Sequence, residues 1–399
     1  MLVYLAPCGM GLGHAYRAFT IANELIKRGH EVVFSTYGDA VLLLKKMNQR
    51  VLTTFELEYA QDKEGMIDLR QTIAEGPKNL YIFARHVATE LYYMNVFEPD
   101  VVVSDSRLSS TLAAIYHRIP NLLIINQLKV KIPTRRPTKV KILLKSLAEN
   151  VLLEGVMHVW GRSDVIIIPD FPPPYTIARE NIVLFKEYRN KTLLIGPLIS
   201  KHPEELPPRE LLRKELGVED KKLIFIVVSG LRREREVFYE RIIKLFSKIS
   251  LPSNYKVVIT AGFAESYGKI EYLKENVELH YFIKDKFKYL KAADVLVSHG
   301  GHNTLAEGLY YGIPQLMLPS KLHTERKGNS KAIEDMGAGI LLYQEDLNEH
   351  DFLKALEKLT SKPIYWERAQ KISRKVSKLK PVQTLVELIE TLVELSSRS

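Results

Sequence analysis

Short, unbroken apolar runs alternate along the first half of the chain with stretches in which apolar residues recur at helical spacing. The runs at 2–7, 31–36, 101–104 and 121–126 predict strands, and the segments at 14–28, 80–97 and 109–117 predict helices. The alternation restarts later, with strands expected at 223–228, 256–260, 277–280, 295–298 and 315–318, helices at 237–247 and up to about 311, and helices from Asp351 onward. Continuous apolar strands separated by helices belong to parallel sheets covered on both faces, so the fold class is α/β with two doubly wound domains. Gly196-Pro197 and the run from His202 to Pro208 make the joint, because proline neither continues a helix nor donates to a sheet. The domains are accordingly 1–198 and 199–372, followed by a C-terminal helix over 373–399.

The most informative stretch lies in the second domain. In Val297-Ser298-His299-Gly300-Gly301-His302-Asn303-Thr304-Leu305-Ala306-Glu307 an apolar strand runs through a glycine pair into the first turn of a helix. A helix start leaves backbone N–H groups without partners and carries the positive end of the dipole, and glycines let the backbone approach a ligand closely. A phosphate or diphosphate fits such a place. In two sheets of this kind ligands bind beyond the carboxyl ends of the strands, which singles out the loops at His14, Asp105, Gly230, Phe282 and His299.

Charge and cysteine content narrow the classes. The single cysteine, Cys8, excludes an internal disulfide and a cysteine-based metal site. The formal charge of +10 admits nucleic acid or an anionic membrane, and part of the excess is local: Lys129, Lys131, Arg135, Arg136, Lys139, Lys141 and Lys145 are interleaved with Val140, Ile142, Leu143 and Leu144. That mixture suits a peripheral element at an anionic membrane surface; a solvated basic loop and helix face is the competing reading. No run approaches a membrane span and the first residues begin directly as a strand, so a cytoplasmic protein is expected, peripheral at the inner membrane face if the basic segment binds lipid. No nucleic-acid recognition motif accompanies the charge, so no nucleic-acid partner is expected.

The segment from Val277 to Gly339, with Phe282-Ile283, Ala293-Asp294, His299-Gly300-Gly301, Asn303-Thr304, Glu307, Gly312-Ile313-Pro314 and Pro319, resembles the donor-binding signature of the UDP-glycosyltransferases. It is also similar to the carboxyl-terminal domain of the bacterial enzyme that makes the peptidoglycan lipid intermediate. The first loop, Gly9-Met10-Gly11-Leu12-Gly13-His14-Ala15-Tyr16-Arg17, resembles the first loop of the same superfamily. The resemblance implies the GT-B fold, two Rossmann-like domains facing across a cleft, with the last helix packing back on the first domain. It further implies a UDP-sugar donor held by Gly13, Ser229, Gly230, Phe282, Ile283, His299, Gly300, Gly301, Asn303, Thr304 and Glu307, with Glu325 and Arg326 near the sugar.

Other readings of these residues stay open. Thr304 to Glu307 also has the spacing of a capping box, His299 could be a polar residue at a strand end, His302 a packing residue, and Phe282 part of the core. Arg232 and Arg233 could add charge to the site or simply be solvated. Arg326 departs from the family, which usually has glutamine there; its planar fork could pair with a carboxylate on the sugar, so the sugar stays open.

For the chemistry, an acceptor hydroxyl must lose its proton as the anomeric carbon loses UDP. His14, after the glycine-rich turn, is the expected base, and Asp105 would orient it, as relatives use such a pair. A helix-start or loop role for His14 and an N-cap role for Asp105 are the alternatives. One base and direct displacement predict inversion. No metal or other cofactor is expected: there is no Asp-x-Asp pair, and His299-x-x-His302 lacks an evident third ligand. The glycines at 9, 11 and 13, with Thr36 ending the second strand, argue against a dinucleotide site. A UDP-sugar epimerase of the same fold and a basic nucleic-acid-binding protein are the remaining rivals. The acceptor, lipid-linked or otherwise, would meet variable loops such as 55–78 and 127–138.

Overall fold

The structure, a computed structural model, describes residues 1–56, 76–126, 154–182 and 186–398. The basic segment 129–145 and most of the two loops expected to meet the acceptor therefore lie outside the described residues. The chain divides into two compact units: Met1–Pro172, Glu180–Ser200 and Lys380–Ser399 make unit 1, and Pro173–Arg179 with Lys201–Leu379 make unit 2.

Unit 1 holds a seven-stranded sheet in the order β3-β2-β1-β4-β5-β6-β7. Its strands are β1 (Leu2–Pro7), β2 (Glu31–Thr36), β3 (Val51–Thr53), β4 (Val101–Asp105), β5 (Asn121–Ile124), β6 (Val165–Ile168) and β7 (Thr192–Leu194), and all neighbours run parallel. The central strands are unbroken apolar runs because helices cover both faces, so successive side chains are all buried. The covering helices include α1 (Leu12–Lys27), α2 (Asp39–Lys46), α3 (Gly76–Phe97) and α4 (Leu108–His117). One polar network crosses this core: Glu90 of α3, fully buried, pairs with Arg107 and accepts from the Tyr4 hydroxyl at 2.6 Å and the Ser35 hydroxyl at 2.7 Å.

Unit 2 repeats the plan in the order β10-β11-β9-β8-β12-β13-β14. Its strands are β8 (Lys222–Val227), β9 (Tyr255–Thr260), β10 (Ile270–Lys274), β11 (Val277–His280), β12 (Val295–Ser298), β13 (Gln315–Met317) and β14 (Gly339–Leu341); only the edge strand β10 runs antiparallel to its neighbour. Its helices are α5 (Arg209–Glu215), α6 (Arg232–Lys248), α7 (Phe287–Ala292), α8 (His302–Tyr311), α9 (Thr324–Asp335), α10 (Glu349–Ser361) and α11 (Pro363–Val376). Ile224, Ile226, Val257, Ile259, Val295 and Val297 form one face of the core with Phe238, Ile242 and Phe246 of α6 and Phe352 and Leu356 of α10.

A final helix, α12 (Pro381–Ser396), belongs to unit 1 and packs on α1. Glu390 anchors it there through Arg28 at 3.0 Å and His30 at 2.8 Å, while residues 373–379 remain in unit 2. No helix among the described residues is long and apolar enough to cross a membrane.

Strand order fixes where loops can gather. β1 lies between β2 and β4, and β8 lies between β9 and β12, so the connections leave each sheet in opposite directions at these strands. The registers Pro7↔Asp105 and Val227↔Ser298 bring the carboxyl ends level in each unit. Unit 1 thereby opens at the glycine loop and Asp105, and unit 2 at Ser229-Gly230 and His299.

Candidate active site

In unit 1, α1 begins at Leu12 with Gly11 as its N-cap and no side-chain cap, which places Gly13 and His14 in the first turn. His14 is thus neither a cap nor a loop residue. Its Nδ1 lies 2.8 Å from Oδ1 of Asp105, the last residue of β4. Asp105 does not cap the following helix, whose N-cap is Arg107. Its carboxylate is instead saturated by His14 and by Arg17, whose Nε donates to Oδ2 at 2.8 Å and Nη2 to Oδ1 at 2.6 Å. Burial would raise this carboxyl, but the Arg17 guanidinium and His14 outweigh it and hold the group well below the usual carboxylate range. An ionised carboxylate can only accept, so in its bond to Asp105 it is His14 Nδ1 that donates. Nε2 has no hydrogen-bond partner among the described residues.

In unit 2, His299 follows β12 and is 1% exposed, with neither ring nitrogen hydrogen-bonded among the described residues. Burial, reinforced by the Arg326 guanidinium, pushes its imidazole well below the ordinary value, so the ring is neutral. The Phe238 ring packs 5.1 Å from it, centroid to centroid. Gly300 has φ +88, and a Cβ there would lie 2.4 Å from Ser330 Oγ and 3.0 Å from the Arg326 carbonyl oxygen, so only glycine fits. Ser330 Oγ and both side-chain polar atoms of Asn329 are also buried without partners among the described residues. Gly301 is the N-cap of α8, no side chain caps that helix, and its first intrahelical bond is Leu305 N–H to the Gly301 carbonyl at 3.0 Å. Asn303 and Thr304 fall in that first turn, and His302 is buried at its start. Such a cluster of unsatisfied polar atoms at a helix start is a place for a polar, anionic ligand.

Two expectations about this loop change. Because α8 starts at His302, Glu307 lies beyond the first turn and cannot form the capping box; its carboxylate takes Lys286 Nζ at 2.6 and 2.8 Å. Arg326 is not an open fork awaiting a carboxylate on a sugar: its Nη2 donates to Glu234 Oε2 at 2.5 Å. Glu234, in the first turn of α6, also accepts from the Leu231 N–H at 3.1 Å. Burial would raise its carboxyl, and Arg326 followed by His323 overrides that and holds it far below the usual range. Gly230, φ +101, sits against this pair, since a Cβ there would lie 2.6 Å from Arg326 Nη2, 2.7 Å from Glu234 Oε2 and 3.3 Å from His299 Nε2. Glycine 230 therefore brings Glu234, Arg326 and His299 together at the end of β8.

Ser229 lies beside the glycine turn, 3.6 Å from where a Cβ of Gly301 would be. Phe282 and Ile283 are half-buried rather than core residues, with the Phe282 ring edge-on to Tyr267 at 6.4 Å. Glu325 is half-buried and makes no ion pair or hydrogen bond among the described residues. Arg232 and Arg233 are exposed and pair with Glu236, so they are solvated surface residues. No group of three or more His, Cys, Asp or Glu able to hold a metal occurs among the described residues.

Arg17, Glu234 and Lys286 escape a reading of the sequence because their partners are 88, 92 and 21 residues away. For Arg17 a signal existed: it follows His14 by three positions, which puts both on one face of α1.

Two family models match the chain: "Glycosyl transferase family 1" over residues 2–163 and "Glycosyltransferase family 28 C-terminal domain" over residues 225–388. An uncharacterized glycosyltransferase of Methanosarcina mazei is 30% identical over 98% of both chains. The UDP-N-acetylglucosamine--N-acetylmuramyl-(pentapeptide) pyrophosphoryl-undecaprenol N-acetylglucosamine transferase of Caldicellulosiruptor saccharolyticus is 24% identical over 96% of both chains. Among solved structures, the glycosyltransferase of kitacinnamycin superimposes with a TM-score of 0.66 at 16% identity, covering 98% of each chain, and Acinetobacter baumannii MurG with 0.61 at 16%, covering 98% of this chain and 99% of that one. With a relative of that identity spanning nearly its full length, and with two Rossmann-like units of the GT-B type, this chain belongs to the glycosyltransferases.

Proposed function

We propose that the enzyme transfers a hexose from a UDP-sugar to an acceptor hydroxyl, with inversion and without a metal ion. The observation that carries this reading is His299, a neutral, buried imidazole with both nitrogens unsatisfied at the glycine-lined start of α8. A ring that stays neutral donates one N–H to a diphosphate oxygen, and the helix start supplies the positive field that a leaving nucleoside diphosphate needs.

In the proposed step the acceptor oxygen attacks the anomeric carbon as the bond to the UDP oxygen breaks, and the electron pair leaves with UDP. His14 Nε2 takes the hydroxyl proton, while Asp105 keeps the ring in the correct tautomer and stabilises the imidazolium. A single displacement inverts the anomeric centre. Gly13, Ser229, Gly230, Gly300, Gly301, Asn303 and Thr304 are assigned to the phosphates, Phe282 and Ile283 to the base, and Glu325 with Arg326 to the sugar's surroundings. Glu307 is assigned to the ribose hydroxyls, in exchange for or alongside Lys286.

The acceptor is proposed to be lipid-linked and met at an anionic membrane surface through residues 129–145. The Caldicellulosiruptor relative, named for transfer to a pyrophosphoryl-undecaprenol acceptor, supports this, as does the basic apolar composition of the segment. Epimerisation and nucleic-acid binding have no such support, since the relatives above are transferases.

Isothermal titration with UDP, UDP-glucose, UDP-N-acetylglucosamine, UDP-glucuronic acid and NAD, with and without EDTA, tests the donor. Heat from UDP that survives EDTA, with none from NAD, is the expected result. Silence toward every uridine nucleotide would overturn the donor assignment, and binding abolished by EDTA would overturn its metal independence.

A further inference from the structure

The strand-end carboxylate that orients His14 is shared with a buried arginine. Asp105 is 2% exposed and Arg17 3%, and the guanidinium spends three nitrogens here: Nε and Nη2 on the two carboxylate oxygens, and Nη1 on Asn126 Oδ1 at 2.6 Å. Ser106 Oγ adds a weaker bond to Oδ1 at 3.3 Å. A lone buried carboxylate beside an imidazole draws a second proton onto the ring, because the ion pair so formed is scarcely screened. Here that negative charge is already matched. Arg17 Nη2 also lies 3.1 Å from His14 Nδ1, so the guanidinium touches both members of the pair.

We infer that Arg17 is a positioning residue that grips the Asp105 carboxylate, and through it the His14 ring, and whose removal would leave the Asp105 charge unmatched beside that ring. This rests on the reading of His14 as the base. Arg17 fixes the Asp105 carboxylate against rotation, since Nε and Nη2 grip its two oxygens while Asn126 holds Nη1 of the same guanidinium. It also matches the negative charge that Asp105 would otherwise set alone against the ring.

Other charged or titratable groups near this end of the sheet do not take over that task. Arg107, after β4, is committed to Glu90 and the Ser35 carbonyl. Burial pushes the Cys8 thiol up, which leaves it neutral at the end of β1. Asp39 opens α2, and Glu56 lies against Gly38 in the loop that meets Gly9; neither bonds to His14 or Arg17.

The experiment is a proton–carbon NMR titration of the histidine Cε1–H signals in the full-length wild type and in Arg17→Gln and Arg17→Lys, with the His14 signal assigned by its loss in His14→Gln. Glutamine keeps a donor for Asp105 without the charge, and lysine keeps the charge without the fork. The expected result is a His14 midpoint higher by about one pH unit or more in Arg17→Gln and close to wild type in Arg17→Lys. Sugar transfer by Arg17→Gln should then be impaired near neutral pH and recover toward wild type at about pH 9, with KM for the donor unchanged. A folded Arg17→Gln protein with an unmoved midpoint overturns the inference, as does a loss of transfer equal at every pH. Full transfer by His14→Gln would sink the reading of His14 as base, yet the midpoints would still judge the electrostatic role of Arg17.

Discussion

Two imidazoles, one in the first turn of α1 and one just after β12, are held in opposite ways. His14 is oriented by a carboxylate and keeps one nitrogen open, whereas His299 is sealed in without any partner among the described residues. The first arrangement suits a group that gains and loses a proton, the second a group that must stay neutral while donating. His14→Ala should lower the transfer rate by about 10²–10⁴-fold, as expected for loss of a general base, with the Kd for UDP nearly unchanged by calorimetry. Retained transfer would remove His14 from the mechanism. Glu307→Ala should weaken UDP by about 10-fold or more, the size of a hydrogen bond to a charged group, and unchanged affinity would confine Glu307 to its ion pair with Lys286.

At the scale of the elements, α12 completes unit 1 with Pro381, Val382, Leu385, Val386 and Ile389 buried. Each large apolar side chain so buried stabilises by roughly 1.5–3 kcal/mol, so losing the helix should remove several kcal/mol from a stability of ~5–15 kcal/mol. A chain ending at Leu379 should therefore lose the cooperative melting of unit 1, as followed by hydrogen exchange in β1 and β4; retained protection would show that α12 is dispensable. The strands at the sheet centres were legible because burial on both faces leaves only apolar residues in them. The strands β6 and β7, and the helices α5 and α9, were not, because they are short or strongly charged and are held by neighbours rather than by their own pattern. In the candidate site, glycine spacing and the strand-to-helix turns pointed to the loops where the structure gathers His299, Asn329 and Ser330. The ion pairs Lys286–Glu307 and Arg326–Glu234 were invisible, because a charged residue in a sequence does not disclose which distant charge the fold brings to it.

At the scale of the whole molecule, each unit contains among its described residues a buried carboxylate held far below its ordinary range, Asp105 in unit 1 and Glu234 in unit 2. The folded state binds these protons less readily than the unfolded chain, so stability rises with pH through the carboxylate window. The contribution is fully present above the unfolded value of about 4 and is lost as pH falls further below it. Thermal melting followed against pH should decline gently below about pH 6.5, where His299 can take a proton only in the unfolded chain, and more steeply below about 4, with Asp105→Asn flattening the steep acid limb of unit 1. An acid limb identical in Asp105→Asn would remove that carboxylate as a source of the dependence.

The return of α12 to unit 1 also sets an order of events during synthesis. β1 is translated long before the helix that covers α1, which is made only after residues 201–379. Unit 1 therefore waits with an uncovered apolar stripe while unit 2, all of whose segments have already been translated, can close, and the half of the enzyme that is made first is the half that matures last.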